Sequence, residues 1–160
     1  MKATHGIALA AIASLPMLAA LPASAATTVR VSLWDKPGMD MATNLGHGMG
    51  GDMSKAAMGI TAEPTSAPAG KVTFAVTNTS KDAVHEMIVA PLKAADEKLP
   101  YLDDESRVDE ETAGHLGEVS ELDPGASGAL TVSLKPGTYI LYCNIPGHYM
   151  SGMWTDFTVK

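Results

Sequence analysis

The chain has 160 residues, 46% hydrophobic and 18% charged, which is one domain's length with enough apolar side chains for a packed core. Eleven Lys and Arg stand against 18 Asp and Glu, a formal net charge of -7, which argues against a dedicated nucleic-acid-binding domain because neutralising phosphates takes clustered cations. A single cysteine excludes an internal disulfide framework and any zinc or iron–sulfur site built on several thiolates.

The N-terminus reads as an address. Lys2 precedes an apolar run from Gly6 to Leu21, and Ala23-Ser24-Ala25 supplies the small residues that a signal peptidase reads. Residues 1–25 are therefore expected to be a cleaved secretory signal. A membrane anchor is the weaker reading, because Pro16 and Pro22 interrupt a run already short of the roughly 20 apolar residues that a span needs. The mature chain is expected to be exported and to lack a membrane span.

Short strand-like runs follow in order. Thr28 to Trp34 alternates with period two, and Gly59 to Glu63 is a weaker candidate. Lys71 to Thr77 alternates again, followed by Val84 to Ala90, Gly117 to Leu122, Ala129 to Leu134, Thr138 to Cys143 and Trp154 to Val159. Asp123-Pro124-Gly125 and Lys135-Pro136-Gly137 are strong turns, Pro fixing φ and Gly accepting positive φ. Seven or eight short strands with such punctuation predict an all-β protein, an antiparallel Greek-key β-sandwich.

Two stretches break the rhythm. Pro37 to Met58 is rich in Gly and Met and has no period, so residues 26–69 are expected to hold a first strand and a partly mobile segment. Residues 70–160 are expected to form the core, interrupted at 93–114 by an insertion carrying Asp96, Glu97, Asp103, Asp104, Glu105, Asp109, Glu110 and Glu111. That insertion reads as a solvated acidic loop with one helical turn.

A lone cysteine in an oxidising compartment needs burial, a partner or a bound group. Cys143 ends a strand, His148 follows five residues later across Pro146-Gly147, and Met153 lies five beyond that. One loop thus offers a thiolate, an imidazole and a thioether, and His85 on an earlier strand could complete the set. Cys, two His and a weak Met is a donor set suited to a copper electron-transfer centre, whereas zinc has no use for Met.

The Cys-x4-His-x4-Met loop, the upstream His85, the turns at Leu122-Asp123-Pro124-Gly125 and Lys135-Pro136-Gly137, and the closing Phe157-Thr158-Val159 strand together resemble the cupredoxins, the type 1 copper proteins. The loop spacing is similar to that of rusticyanin rather than plastocyanin. The resemblance runs from Gly70 to Lys160 and is nearest to small periplasmic cupredoxins of copper tolerance, some of which carry a Met-rich N-terminal extension. It implies a Greek-key cupredoxin fold and one type 1 copper per chain. His85 and His148 would be the imidazole ligands, Cys143 the thiolate and Met153 the axial ligand. It further implies a periplasmic protein that is no enzyme but carries single electrons to or from a redox partner such as a cytochrome or copper oxidase, with His148 and an apolar patch of Pro146, Gly147, Tyr149 and Met150 facing that partner. Many members have Asn or Ser after the first His to tie the ligand loops together, where this chain has Glu86.

Met39, Met41, Met49, Met53 and Met58, with His47, crowd the Gly-rich segment. Thioethers bind Cu(I) and are not lost by protonation, so these six are candidate accessory Cu(I) ligands, against the alternative that Met simply packs adaptably. A second function therefore stays open: a copper-homeostasis protein that binds, buffers or oxidises Cu(I) with copper-handling partners. A thiol hydrolase is disfavoured because Met153 would be unexplained. A two-copper centre fails on cysteine count, and a multidomain copper oxidase fails on length.

Overall fold

The computed structural model describes residues 26–38, 40–41 and 43–160; the expected signal at 1–25 and Met39 lie outside the described residues. Strands β1 (Thr27–Asp35), β2 (Met58–Glu63), β3 (Ser66–Ala67), β4 (Gly70–Asn78) and β5 (His85–Leu92) come first. After them come β6 (Tyr101–Leu102), β7 (Arg107–Val108), α1 (Glu110–Ala113), β8 (Gly117–Leu122), β9 (Ser127–Leu134), β10 (Gly137–Tyr142) and β11 (Trp154–Val159). Two single-turn 3-10 helices sit at Met53–Lys55 and Tyr149–Ser151. All eight strand runs expected from the sequence are strands, and three two-residue strands join them.

Alternation sorts the side chains. Val29, Val31 and Leu33 of β1 and Val72, Phe74 and Val76 of β4 point inward, with more exposed residues between them. They belong to a sheet ordered β2-β1-β4-β9, which faces a second sheet ordered β3-β11-β10-β5-β8. Inward residues from both sheets, including Met87, Val89, Leu141 and Phe157, make one core cluster, in which the Phe74 and Phe157 rings meet edge to face at 5.2 Å. The architecture is the expected all-β sandwich, with mixed sheets. β1 runs parallel to β4 and β3 parallel to β11, while the other pairings are antiparallel. The parallel β1–β4 pair is possible because the chain between them passes through β2 and then β3, which lies in the other sheet.

The strands β5 and β10 carry near-continuous apolar runs because both of their faces are buried. Ile88, Ala90, Ile140 and Tyr142 point away from the main core into a second cluster, closed by Leu99, Val108 and Tyr149. The acid-rich insertion therefore roofs the outer face of the second sheet with Leu99 and Val108 while Asp103, Asp104 and Glu105 remain exposed. Its helical turn, α1, is capped by Asp109, whose carboxylate accepts the Thr112 N–H, and by Gly114 in the left-handed region.

The Gly/Met-rich segment packs beside the β10–β11 loop. Leu45 donates its N–H to the Met150 carbonyl at 2.8 Å and accepts from Trp154 Nε1 at 2.6 Å. Leu45 and His47 are both buried. Among the described residues, no helix is long and apolar enough to cross a membrane.

Candidate metal centre

Strand order brings the donors together. In the second sheet β10 lies between β11 and β5, and Tyr142 pairs with both Trp154 and Ile88. The residue after Tyr142 is Cys143, so the cysteine, the end of its loop and the start of β5 all fall at one edge of the sandwich. The Cys143 N–H donates to the Met153 carbonyl at 3.0 Å, extending the ladder one step past the strand. A register shift between His85 and Met87 on β5 marks a bulge at the strand end that carries His85.

The loop itself is wound tightly. Gly147 and His148 donate their N–H groups to Ser106 and Ile145, and Met153 returns its N–H to the His148 carbonyl. Gly147 has φ 79°, a left-handed conformation that favours glycine, and the tip of Met41 lies over it, Cε 2.7 Å from where a Cβ would stand.

His85, Cys143 and His148 are all buried, and their donor atoms lie within 4.8 Å of one another. The two Nδ1 atoms are 3.3 Å apart, and Cys143 Sγ is 3.5 Å from His148 Nδ1. Such spacings leave room for a single ion at about the 2.0–2.3 Å that imidazole and thiolate donors prefer. Met153 is fully buried in the same core cluster as Cys143.

Burial sets the electrostatics. It pushes the Cys143 thiol up to about 12, opposed by the N–H groups of Glu86 and Ile145. It lowers His148 to about 4, with His85 adding to the effect, and lowers His85 against the pull of Asp35. Near neutral pH both imidazoles are therefore neutral and able to donate a lone pair, while the thiol keeps its proton until a cation displaces it. One thiolate and two imidazoles with a thioether close by make a donor set matched to a soft or borderline redox metal.

Glu86 answers the missing Asn or Ser. Its N–H points at Cys143 Sγ at 3.5 Å, and its carboxylate accepts the N–H of Asn144 at 2.9 Å, so it bridges the segments that carry His85 and Cys143 directly. Burial, opposed by the Asn144 N–H and reinforced by Glu118 and Glu110, raises Glu86 to about 7. Asn144 in turn accepts from Val108 N–H at 2.6 Å and donates to the Val108 carbonyl and to Glu110. Sequence reading missed Asn144; a single amide inside the otherwise apolar Tyr142-Cys143-Asn144-Ile145 was its one signal.

The accessory candidates scatter. Met41, Met49 and Met53 are exposed around the loop, whereas Met58 is buried on β2. Met49 and Met150 flank Gly46, each sulfur 3.0 Å from where a Cβ would stand. His47 has both ring nitrogens engaged, Nδ1 on the Glu97 carbonyl at 2.6 Å and Nε2 beside Asp156 at 3.2 Å, with Trp154 packed against it edge to face. Tyr149, expected in the surface patch, is buried against Tyr142 and Tyr101, and Met41 lies over Gly147 instead.

A family model described as the sulfocyanin (SoxE) domain matches residues 117–160. No curated protein matches the chain. Among solved structures, rusticyanin from Thiobacillus ferrooxidans is similar with a TM-score of 0.54 at 20% identity, over 86% of this chain and 79% of that one. Auracyanin B is similar with a TM-score of 0.52 at 22% identity, over 88% of this chain and 93% of that one. The fold is that of the cupredoxins.

Proposed function

We propose that this chain is an exported type 1 copper protein that carries single electrons, with His85, Cys143 and His148 as the strong ligands and Met153 as the weak axial one. The observation that carries this reading is the buried convergence of one thiol and two neutral imidazoles at one edge of a cupredoxin sandwich. Copper bound there would supply reversible one-electron Cu(II)/Cu(I) chemistry. The chain's part is to hold its donors in a geometry that serves both oxidation states. The Cys143–Met153 and Met153–His148 backbone bonds and the Glu86 bridge fix the loop before any ion arrives, so little has to rearrange when the charge changes. His148, slightly more open than the fully enclosed His85, is the natural electron entry point, in a setting that includes exposed Pro146, half-buried Gly147 and Met150, and exposed Met41. Periplasmic residence, with residues 1–25 removed on export, and a protein redox partner belong to the same reading. Its test is an optical and EPR spectrum of the copper-loaded chain. Intense thiolate-to-copper charge-transfer absorption with one cupric ion per chain is expected, and a colourless loaded protein rejects it.

The second reading, copper homeostasis linked to copper tolerance, is favoured by one observation: the exposed thioethers of Met41, Met49 and Met53 ring the ligand loop. In that role the segment collects Cu(I) and the type 1 site holds or oxidises it. Replacing these three with Leu should remove any cuprous binding beyond one ion per chain; unchanged stoichiometry rejects the accessory role. A deletion strain that is copper-sensitive with normal respiration supports homeostasis, and a respiratory defect at low copper supports electron transfer.

A further inference from the structure

His85 is fully enclosed, and its two ring nitrogens have different neighbours. Nδ1 faces His148 across 3.3 Å and so belongs to the donor cluster. Nε2 is buried with no hydrogen-bond partner, and the acceptor that approaches it is Asp35 Oδ1 at 3.9 Å. An imidazole that donates its lone pair through Nδ1 carries its proton on Nε2, and a buried N–H without an acceptor loses its hydration with nothing in return. The position of the carboxylate is therefore informative.

Asp35 is the last residue of β1, held opposite Met58 in the β1–β2 ladder. Its side chain is 20% exposed, and its Oδ1 stands 3.9 Å from His85 Nε2. The adjacent cation does not claim it: Lys36 Nζ donates to the Ala56 carbonyl at 2.9 Å and lies over the Trp34 ring. Strand β1 belongs to the opposite sheet from His85, so this contact also links the two layers at the metal end.

We propose that Asp35 is the positioning residue for His85, its carboxylate receiving the Nε2–H, directly or through one water, and fixing the ring with Nδ1 toward the metal. The proposal rests on the reading of His85 as a copper ligand. An approach of about 1 Å converts the present separation into an ordinary hydrogen bond of roughly 2.9 Å. Outer carboxylates of this kind hold the ligand ring, fix its tautomer and raise its basicity. The fixed negative charge, in a largely dry setting, also favours the cupric over the cuprous state. The site is thereby built with a lower potential than its four ligands alone would set.

The test is made on the full exported chain loaded with copper, comparing wild type with Asp35→Asn and Asp35→Glu by redox titration and by chelator competition for Cu(II). Asp35→Asn keeps the hydrogen-bonding shape but loses the charge. It should weaken cupric affinity by about tenfold or more while leaving cuprous affinity nearly unchanged, which raises the midpoint potential by about 59 mV for a tenfold ratio. Asp35→Glu should restore most of both values. Wild type and Asp35→Asn with the same charge-transfer band, the same potential and the same cupric affinity overturn the role of Asp35 and leave the copper reading standing. A wild type without that band overturns the copper reading, and this proposal with it.

Discussion

Glu86 and Asn144 are joined across the Cys143 end of the sandwich: the Glu86 carboxylate accepts the Asn144 N–H at 2.9 Å, and the Glu86 N–H points at the sulfur of the preceding Cys143. A buried carboxylate thus couples the start of β5 to the loop after β10. Its protonation has consequences that can be measured.

Glu86 and His148 pull the stability of the metal-free protein in opposite directions as pH changes. Glu86 is raised from 4.5 to about 7, so between those values the folded chain holds a proton the unfolded chain has released, and stability falls as pH rises. His148 is lowered from 6.5 to about 4, so below 6.5 the unfolded chain takes a proton the folded one refuses, and stability falls as pH drops. His85 shifts in the same direction as His148 and adds to the acid arm. Glu86→Gln removes one side of this opposition. Between pH 4.5 and 6.5 its stability should climb with pH more steeply than that of wild type, by about 1.4 kcal/mol per unit. Urea denaturation at half-unit intervals measures this, and parallel curves would refute it.

Copper loading should release about one proton per chain near pH 7, because burial holds Cys143 protonated up to about 12 while the imidazoles are already neutral. Calorimetric titration in buffers of different ionisation enthalpy counts it. Cys143→Ser should lose both the proton release and the charge-transfer absorption; colour that survives the change contradicts the assignment.

Met153→Leu keeps the apolar volume of a fully buried side chain, so its cost in stability should stay below about 1.5 kcal/mol. The charge-transfer band should persist, since thiolate and imidazoles remain, while the potential moves upward with loss of the axial thioether. An unchanged potential places Met153 outside the centre.

Asn144→Ala strips partners from the Val108 N–H and carbonyl and from Glu110, in a residue that is 1% exposed. A loss of about 2–4 kcal/mol is expected, with faster proteolysis in the 103–106 loop as the insertion loosens from the second sheet. Denaturant titration and limited digestion report the two effects separately.

The strands were legible because half-buried sheets impose alternation, and because Asp123-Pro124-Gly125 and Lys135-Pro136-Gly137 mark their ends. The approach of His85, Cys143 and His148 was legible because one short segment carries a thiol and an imidazole five residues apart, and strand order brings His85 to it. The parallel β1–β4 pairing was not legible, since alternation is the same for either strand direction. Neither was the roof formed by Leu99 and Val108: their two side chains are lost among eight acids, and only the opposing apolar face of β5 gives them meaning. Asp35, Asn144 and His47 leave no periodic trace either. Each matters through what the fold sets opposite it, which for Asp35 is a ring 50 positions along the chain.

The bond between Trp154 Nε1 and the Leu45 carbonyl spans 109 positions of sequence, and with Leu45 N–H on Met150 it stitches the methionine segment to the rim of the loop. The surface around His148 is consequently a composite face, authored jointly by two distant stretches of chain. Transplanting the loop alone into another sandwich would carry across the donors but only half of that face.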